Sequence, residues 1–193
     1  ENCMNIYKIT LENFRCYSRL KIDFHPKMTV LVANNGQGKT SILDAVRVAL
    51  WPYVSQFDLA NTPYKDPANT ITIDDVRIIK ADNTARAAGF GVLDEMVRKF
   101  PSSVTATGDY GSGTTEWQRF RDSEAAKSQT KDDKNCRDLK AFAKDLQKQV
   151  RKLTQTPVTL PVFGYYGTGR LWKEKRLTES KRGQNANDEN IRT

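Results

Sequence analysis

The stretch that most limits how this chain can fold is VLVANNGQGKTSILDAV, residues 30–46. An apolar run meets a turn holding two glycines, a lysine and two hydroxyls follow, and apolar residues then recur at helical spacing. Ile42, Ala45, Val46 and Ala49 fall at i, i+3, i+4 and i+7, which predicts a helix over 41–50 with Pro52 marking its end. The preceding residues 28–32 are apolar and β-branched and read as a buried strand.

Strand, glycine turn and helix in that order suit the phosphate-loop pattern G-x-x-x-x-G-K-[ST]. Residues 33–40, ANNGQGKT, match its last three positions, and Ala33 stands where glycine is usual. Such a loop turns its backbone N–H groups inward around a phosphate. Gly36 and Gly38 can take the positive φ this requires. Lys39 reaches the β- and γ-phosphates as a point charge, and Thr40 places a hydroxyl for Mg²⁺ at the helix start. The helix N-terminus adds partial positive charge. Ala33 adds one methyl group, tolerable if that residue keeps a negative φ. The competing reading is a chance glycine turn; the elements expected on both sides favour a nucleotide pocket.

The rest of the chain reads as follows. Residues 6–14 and 20–24 predict strands, with Leu20, Ile22 and Phe24 on one face. His25 to Lys27 form a turn. Residues 71–79 suggest a strand pair or one bulged strand, and 89–100 a short helix. Residues 103–121 carry β-type stretches around DYGSG, giving an antiparallel sheet in the middle of the chain. Residues 123–134 read as a polar loop. In 135–153, Leu139, Phe142, Ala143, Leu146, Val150 and Leu153 form an apolar stripe with lysines and aspartates opposite, a second amphipathic helix. Residues 158–166 read as another buried strand before a GTGR turn. Residues 173–193 are almost wholly polar and read as a flexible tail.

Formal net charge is +8, which suits polyanion partners, nucleic acid first, and equally a merely lysine-rich surface. His25 is the only histidine, so neither a histidine zinc cluster nor a histidine triad can be assembled. Cys3, Cys16 and Cys136 lie far apart and read as reduced thiols. No apolar run approaches the roughly 20 residues that span a bilayer, and no signal peptide is visible. A cytoplasmic protein without membrane contact is the expectation. Met4 reads as a natural start.

Two pieces carry a resemblance. LENFRCYSRLKIDF followed by NNGQGKTSILDAV resembles the N-terminal lobe of RecF/SMC/OLD-type ATPases, a branch of the ABC ATPases. LPVFGYYGTGRLW, residues 160–172, is similar to a segment of the ATPase subunits of Septu and retron anti-phage systems, which work with an HNH nuclease. The resemblance implies an α/β fold, the first lobe of an ABC-type P-loop head: a mixed sheet around the P-loop helix with an antiparallel β subdomain. It implies lobe I over 4–172, with the P-loop at 33–41 and the tail leading to a second lobe. It implies that Asn34, Asn35, Gly36, Gln37, Gly38, Lys39, Thr40 and Ser41 line an ATP site, that Thr40 holds Mg²⁺, and that Arg15 lies near the nucleotide. It also implies ATP-driven pairing of heads in a homo-oligomer and action on DNA or another nucleic acid. An anti-phage role with the nuclease, a DNA-repair ATPase and a fragment without turnover all remain open.

In that family hydrolysis needs a Walker B strand ending in Asp-Glu, a signature motif and a switch histidine. FGVLDE at 90–95 and ITIDD at 71–75 imitate Walker B, and both read better as solvated acids. GDYGSG at 108–113 reads as a hairpin turn rather than a signature motif. The 165–170 turn holds no glutamine of the Q-loop kind, and Arg170 fits packing as well as phosphate contact. No catalytic residue is assigned, and turnover by this chain alone is not expected.

Overall fold

A computed structural model describes residues 4–60, 66–80, 96–111, 113–125, 128–152, 158 and 160–167. Alternation of apolar and polar residues produces β1 (Asn5–Phe14), which lies between two antiparallel neighbours, β2 (Tyr17–Asp23) and β5 (Ser102–Asp109). A further antiparallel strand, β6 (Thr114–Arg121), and the short β7 (Lys131–Asp132) complete a sheet of order β2-β1-β5-β6-β7. The GDYGSG stretch is the β5–β6 hairpin turn: Asp109 Oδ1 accepts from the N–H groups of Gly111 (2.7 Å) and Gly113 (3.1 Å), both at positive φ.

Register carries inward-facing residues across the sheet in rows. Leu11, Val104 and Arg119 are cross-strand partners, as are Ile9, Ala106 and Trp117. All six are buried, and they face helices α1 (Lys39–Val54) and α2 (Lys134–Arg151). Ala45, Val48, Ala49 and Tyr53 come from α1; Cys136, Leu139, Ala143 and Leu146 come from α2. The other face of the sheet is polar, with Thr10, Thr105 and Gln118 in one row. Leu20, Ile22 and Phe24 pack against the core as expected.

Pro52 does not end α1; the helix runs through it to Val54. A proline leaves the carbonyl four residues back without its partner. The carbonyl of Val48 instead accepts from Arg119 Nη1 at 2.9 Å, and that of Ala49 accepts from Trp117 Nε1 at 2.9 Å. Tertiary donors from β6 thus supply what the local sequence withholds. Arg119 is 5% exposed and also donates to the Asn69 carbonyl (2.8 Å) and to Asp132 (2.8 Å), while Lys140 pairs with the same carboxylate. The segment read as a polar loop therefore contributes β7 and an ionic anchor.

Four further expectations change. Residues 28–32 and 160–166 are not strands, and Met28, Val30, Val32, Val162 and Tyr166 are 68–97% exposed. An apolar β-branched run becomes a strand only when a neighbouring strand takes its backbone hydrogen bonds, and neither run belongs to a sheet among the described residues. Residues 71–79 are neither a strand pair nor one bulged strand, and only Ile78 and Ile79 among them lie in a strand. Ile73–Asp75 is a 3-10 turn in which the Asp75 carboxylate accepts from the N–H and hydroxyl of Thr72, both at 2.8 Å; the T-x-x-D spacing favours this local closure. β3 (Ile78–Lys80) then pairs with β4 (Met96–Arg98), so the end of the expected 89–100 helix is a strand. Val150, placed on the apolar stripe of α2, is 44% exposed. FGVLDE, Arg170 and the 173–193 tail lie outside the described residues.

Candidate nucleotide site

The loop at 33–40 runs from extended chain directly into α1. Gly36 and Gly38 have φ of +83° and +85°, and Ala33 does not fall among the residues with positive φ. Gly38 is the N-cap, and the Ile42 N–H donates to its carbonyl at 3.2 Å, which starts the helix. The loop closes on itself through Gln37: its side-chain Oε1 accepts from the Asn34 N–H (3.1 Å), and its own N–H donates to the Asn34 carbonyl (3.3 Å). Lys39 Nζ bends back across the loop to the carbonyls of Ala33 (2.5 Å) and Asn34 (2.8 Å). Asn34, Asn35, Gly36, Gln37 and Thr40 are exposed, and Ser41 is buried.

This geometry can receive a phosphate. Two left-handed glycines turn the backbone, a helix N-terminus opens onto the loop, and an ammonium already lies over the carbonyls that frame it. The donor set is chemically compatible with a magnesium nucleotide: Lys39 would offer charge to phosphates and Thr40 a hard oxygen to the cation.

The β1–β2 turn presses on this loop, a contact the sequence reading missed. A Cβ at Gly38 would lie 2.6 Å from both Cys16 Sγ and Tyr17 Oη. The Tyr17 hydroxyl donates to the Gln37 carbonyl at 2.9 Å. Burial, then the neighbouring Cys16, raises the pKa of that hydroxyl, so it stays a donor at neutral pH. No local signal marks this pair. Only the adjacency of 16–17 to the N-F-R stretch could have suggested it.

Arg15 is held at φ +50° in the same turn, and its side chain reaches α1. Its Nη1 pairs with Asp44 (2.5 Å), its Nε pairs with Asp75 (2.8 Å), and its guanidinium lies 5.4 Å from the centre of the Phe14 ring. Burial works against its charge, yet the bonds to Asp75 and Asp44 outweigh burial and raise its pKa. Asp44 also accepts from the Tyr165 hydroxyl, and Arg47 stacks at 5.2 Å over the Tyr165 ring. Burial first, then Asp44, pushes the Tyr165 phenol up to about 12. The GYYG segment is thereby fastened to the helix that the phosphate loop begins. Among the described residues no acidic or histidine cluster has metal-binding geometry, and no helix is long and apolar enough to cross a membrane.

The chain is 49% identical over 43 residues to the DNA replication and repair protein RecF of Lactococcus lactis subsp. lactis, a match covering 22% of this chain and 12% of that protein. It is 46% identical over 43 residues to RecF of Clostridium acetobutylicum, again 22% and 12%. It is 43% identical over 47 residues to the DNA double-strand break repair Rad50 ATPase of Methanopyrus kandleri, 24% of this chain and 5% of that one. The chain thus covers about an eighth or less of the relatives it matches. The mixed α/β fold with its antiparallel sheet is that of a P-loop NTPase lobe of the ABC type. The AAA_23 family, described as an AAA domain, matches residues 8–192, and the chain belongs to that family.

Proposed function

We propose that this chain is the nucleotide-binding first lobe of a RecF/Rad50-type ATPase that acts on DNA. The observation that carries the reading is the loop itself: left-handed Gly36 and Gly38 at the mouth of α1, with Lys39 folded over them. In this reading Asn34 to Ser41 line the ATP site, Thr40 holds Mg²⁺, and Arg15 keeps the start of α1 in place through Asp44. The lobe extends over 4–172, and ATP brings two heads together. The net charge of +8 supports a nucleic-acid partner. Hydrolysis depends on positioning and charge stabilisation from several sides. Turnover therefore belongs to the assembled protein rather than to this loop alone, and its place is the cytoplasm.

The test is ATP binding with Mg²⁺ by calorimetry, wild type against Lys39→Ala, with phosphate release read from the same samples. Binding lost in the variant, without turnover in either, is the expected result. Equal binding by both would remove the P-loop from the site. Turnover by this chain alone would mean that an acidic stretch such as 90–95 completes it.

A second reading, an anti-phage ATPase working with an HNH nuclease, is supported by the 160–172 segment, whose Tyr165 docks on α1 through Asp44. Co-purification of such a nuclease with the natural protein decides between the two.

A further inference from the structure

We propose that the solvent ridge of α2 is a nucleic-acid face that takes the phosphate backbone of duplex DNA. The inference rests on the DNA-directed reading above for its partner class, and it adds the surface.

Opposite the buried residues Cys136, Leu139, Ala143 and Leu146, the helix presents Lys134, Arg137, Ala141, Lys144 and Lys148 at i, i+3, i+7, i+10 and i+14. That spacing keeps all five on one line, with about 21 Å from first to last. All five are exposed. The cations that the fold employs lie on the flank: Lys140 pairs with Asp132, and Arg151 with Asp58. The ridge differs. Lys134, Arg137 and Lys144 have no ion pair or side-chain hydrogen bond among the described residues. Lys148 has only an exposed pair with Asp145 at 3.0 Å, a kind worth little.

Lys148 stands in the last turn, where the helix dipole favours it, but the other charges do not serve the helix. Lys134 and Arg137 stand at its N-terminal end, where the helix dipole disfavours cations, and no acid occupies the first turn. Lys144 and Lys148 repel each other at i, i+4. Three cations of the row, Lys134, Arg137 and Lys144, have no partner among the described residues, and two of them stand where the helix dipole disfavours them; they point to an anionic partner outside the fold. The repeated charge of a phosphate backbone matches a straight row better than a single anion does. Ala141, at the middle of the row, has only a methyl group and does not hold a rigid backbone away. Asp138 and Asp145 line one side, so the phosphates approach from the side of Arg137 and Lys144.

The experiment measures binding of a fluorescent 20-base-pair duplex by anisotropy between 50 and 200 mM KCl. It compares wild type, Arg137→Gln/Lys144→Gln, Arg137→Glu/Lys144→Glu, and the control Lys21→Glu/Lys27→Glu on β2 and the turn after it. Neutralising two phosphate contacts is expected to flatten the slope of log K against log salt by about 1.8. Charge reversal is expected to weaken binding at 50 mM at least about tenfold, with the control slope unchanged. Circular dichroism verifies that each variant keeps its helices. An equal loss in the control, a flat wild-type slope, or tighter binding of a single strand of the same length would overturn the proposal. ATP binding is measured on the same proteins. The α2 variants retain it if the face is separate from the loop, so loss of DNA binding here and loss of nucleotide binding in Lys39→Ala are told apart.

Discussion

A side chain at Gly38 would collide with the β1–β2 turn, so its substitution separates two costs. Gly36→Ala places a Cβ at φ +83° with nothing within 4 Å, so only the left-handed backbone is penalised, about 1–2 kcal/mol. Gly38→Ala carries the same backbone penalty at φ +85° and adds a Cβ 2.6 Å from Cys16 Sγ and Tyr17 Oη. Overpacking of this kind costs about 1–3 kcal/mol, and exposed Cys16 can yield, so the low end applies. Urea unfolding followed by tryptophan fluorescence should therefore place Gly38→Ala about 1 kcal/mol below Gly36→Ala, with the m-value unchanged. Tyr17→Phe completes a cycle. In the wild type it removes the hydrogen bond to the Gln37 carbonyl and costs about 1 kcal/mol. In the Gly38→Ala background it also removes one of the colliding atoms and should cost less, a coupling read directly from the four proteins. If the two alanine variants are equally stable, or if Tyr17→Phe costs the same in both backgrounds, the turn does not press on the loop.

Arg119→Met should lower stability by about 3–5 kcal/mol in the same assay, because the buried guanidinium serves Asp132 and the carbonyls of Val48 and Asn69 at once. Burial opposes the charge of Asp132, but Lys140 and Arg119 outweigh it and hold its pKa below the ordinary 3.8. A depressed folded pKa contributes stability above the unfolded value and loses it as pH falls through the folded one. Unfolding free energy should therefore drop below about pH 4, and the drop should be shallower in Asp132→Asn. Cys136 is fully buried, and burial first, then Asp132, pushes its thiol to about 12, whereas Cys16 is exposed. In a Cys3→Ser background iodoacetamide at pH 8 should label Cys16 alone, read by mass spectrometry; label on Cys136 without urea would contradict the packing of α2.

What the sequence made legible is what depends on neighbours along the chain. Positive φ at Gly36 and Gly38 follows from the loop pattern, the β5–β6 turn from its glycines, and the stripe of α2 from helical period. What failed depends on partners distant in sequence. Residues 28–32 and 158–166 have strand composition, yet composition cannot say whether a neighbouring strand is present to pair with them. Pro52 was read by its local effect as a helix end. Arg119, 67 positions later, reverses that outcome by taking the orphaned carbonyl. ITIDD failed differently: Thr72 and Asp75 offered a local closure that competes with the strand.

Arg15 joins the two kinds of information. From the sequence it was an arginine after a strand, placed near the nucleotide only by resemblance. In the structure it sits at φ +50°, a conformation that costs a non-glycine residue free energy and persists where surroundings over-determine it. Those surroundings are Asp75 from the closure that broke the expected strand, Asp44 from the helix that the phosphate loop opens, and the ring of Phe14. Asp44 in turn accepts from Tyr165, in the segment that carries the second resemblance. One carboxylate on α1 thus connects the N-F-R turn to the GYYG segment, one helical turn beyond Thr40. Neither Asp44 nor Asp75 belongs to the phosphate-loop pattern, and no spacing rule could have selected them. Their role follows from the strain at Arg15: a turn held against its backbone preference needs fixed partners, and one of them, Asp44, belongs to the helix that the phosphate loop opens.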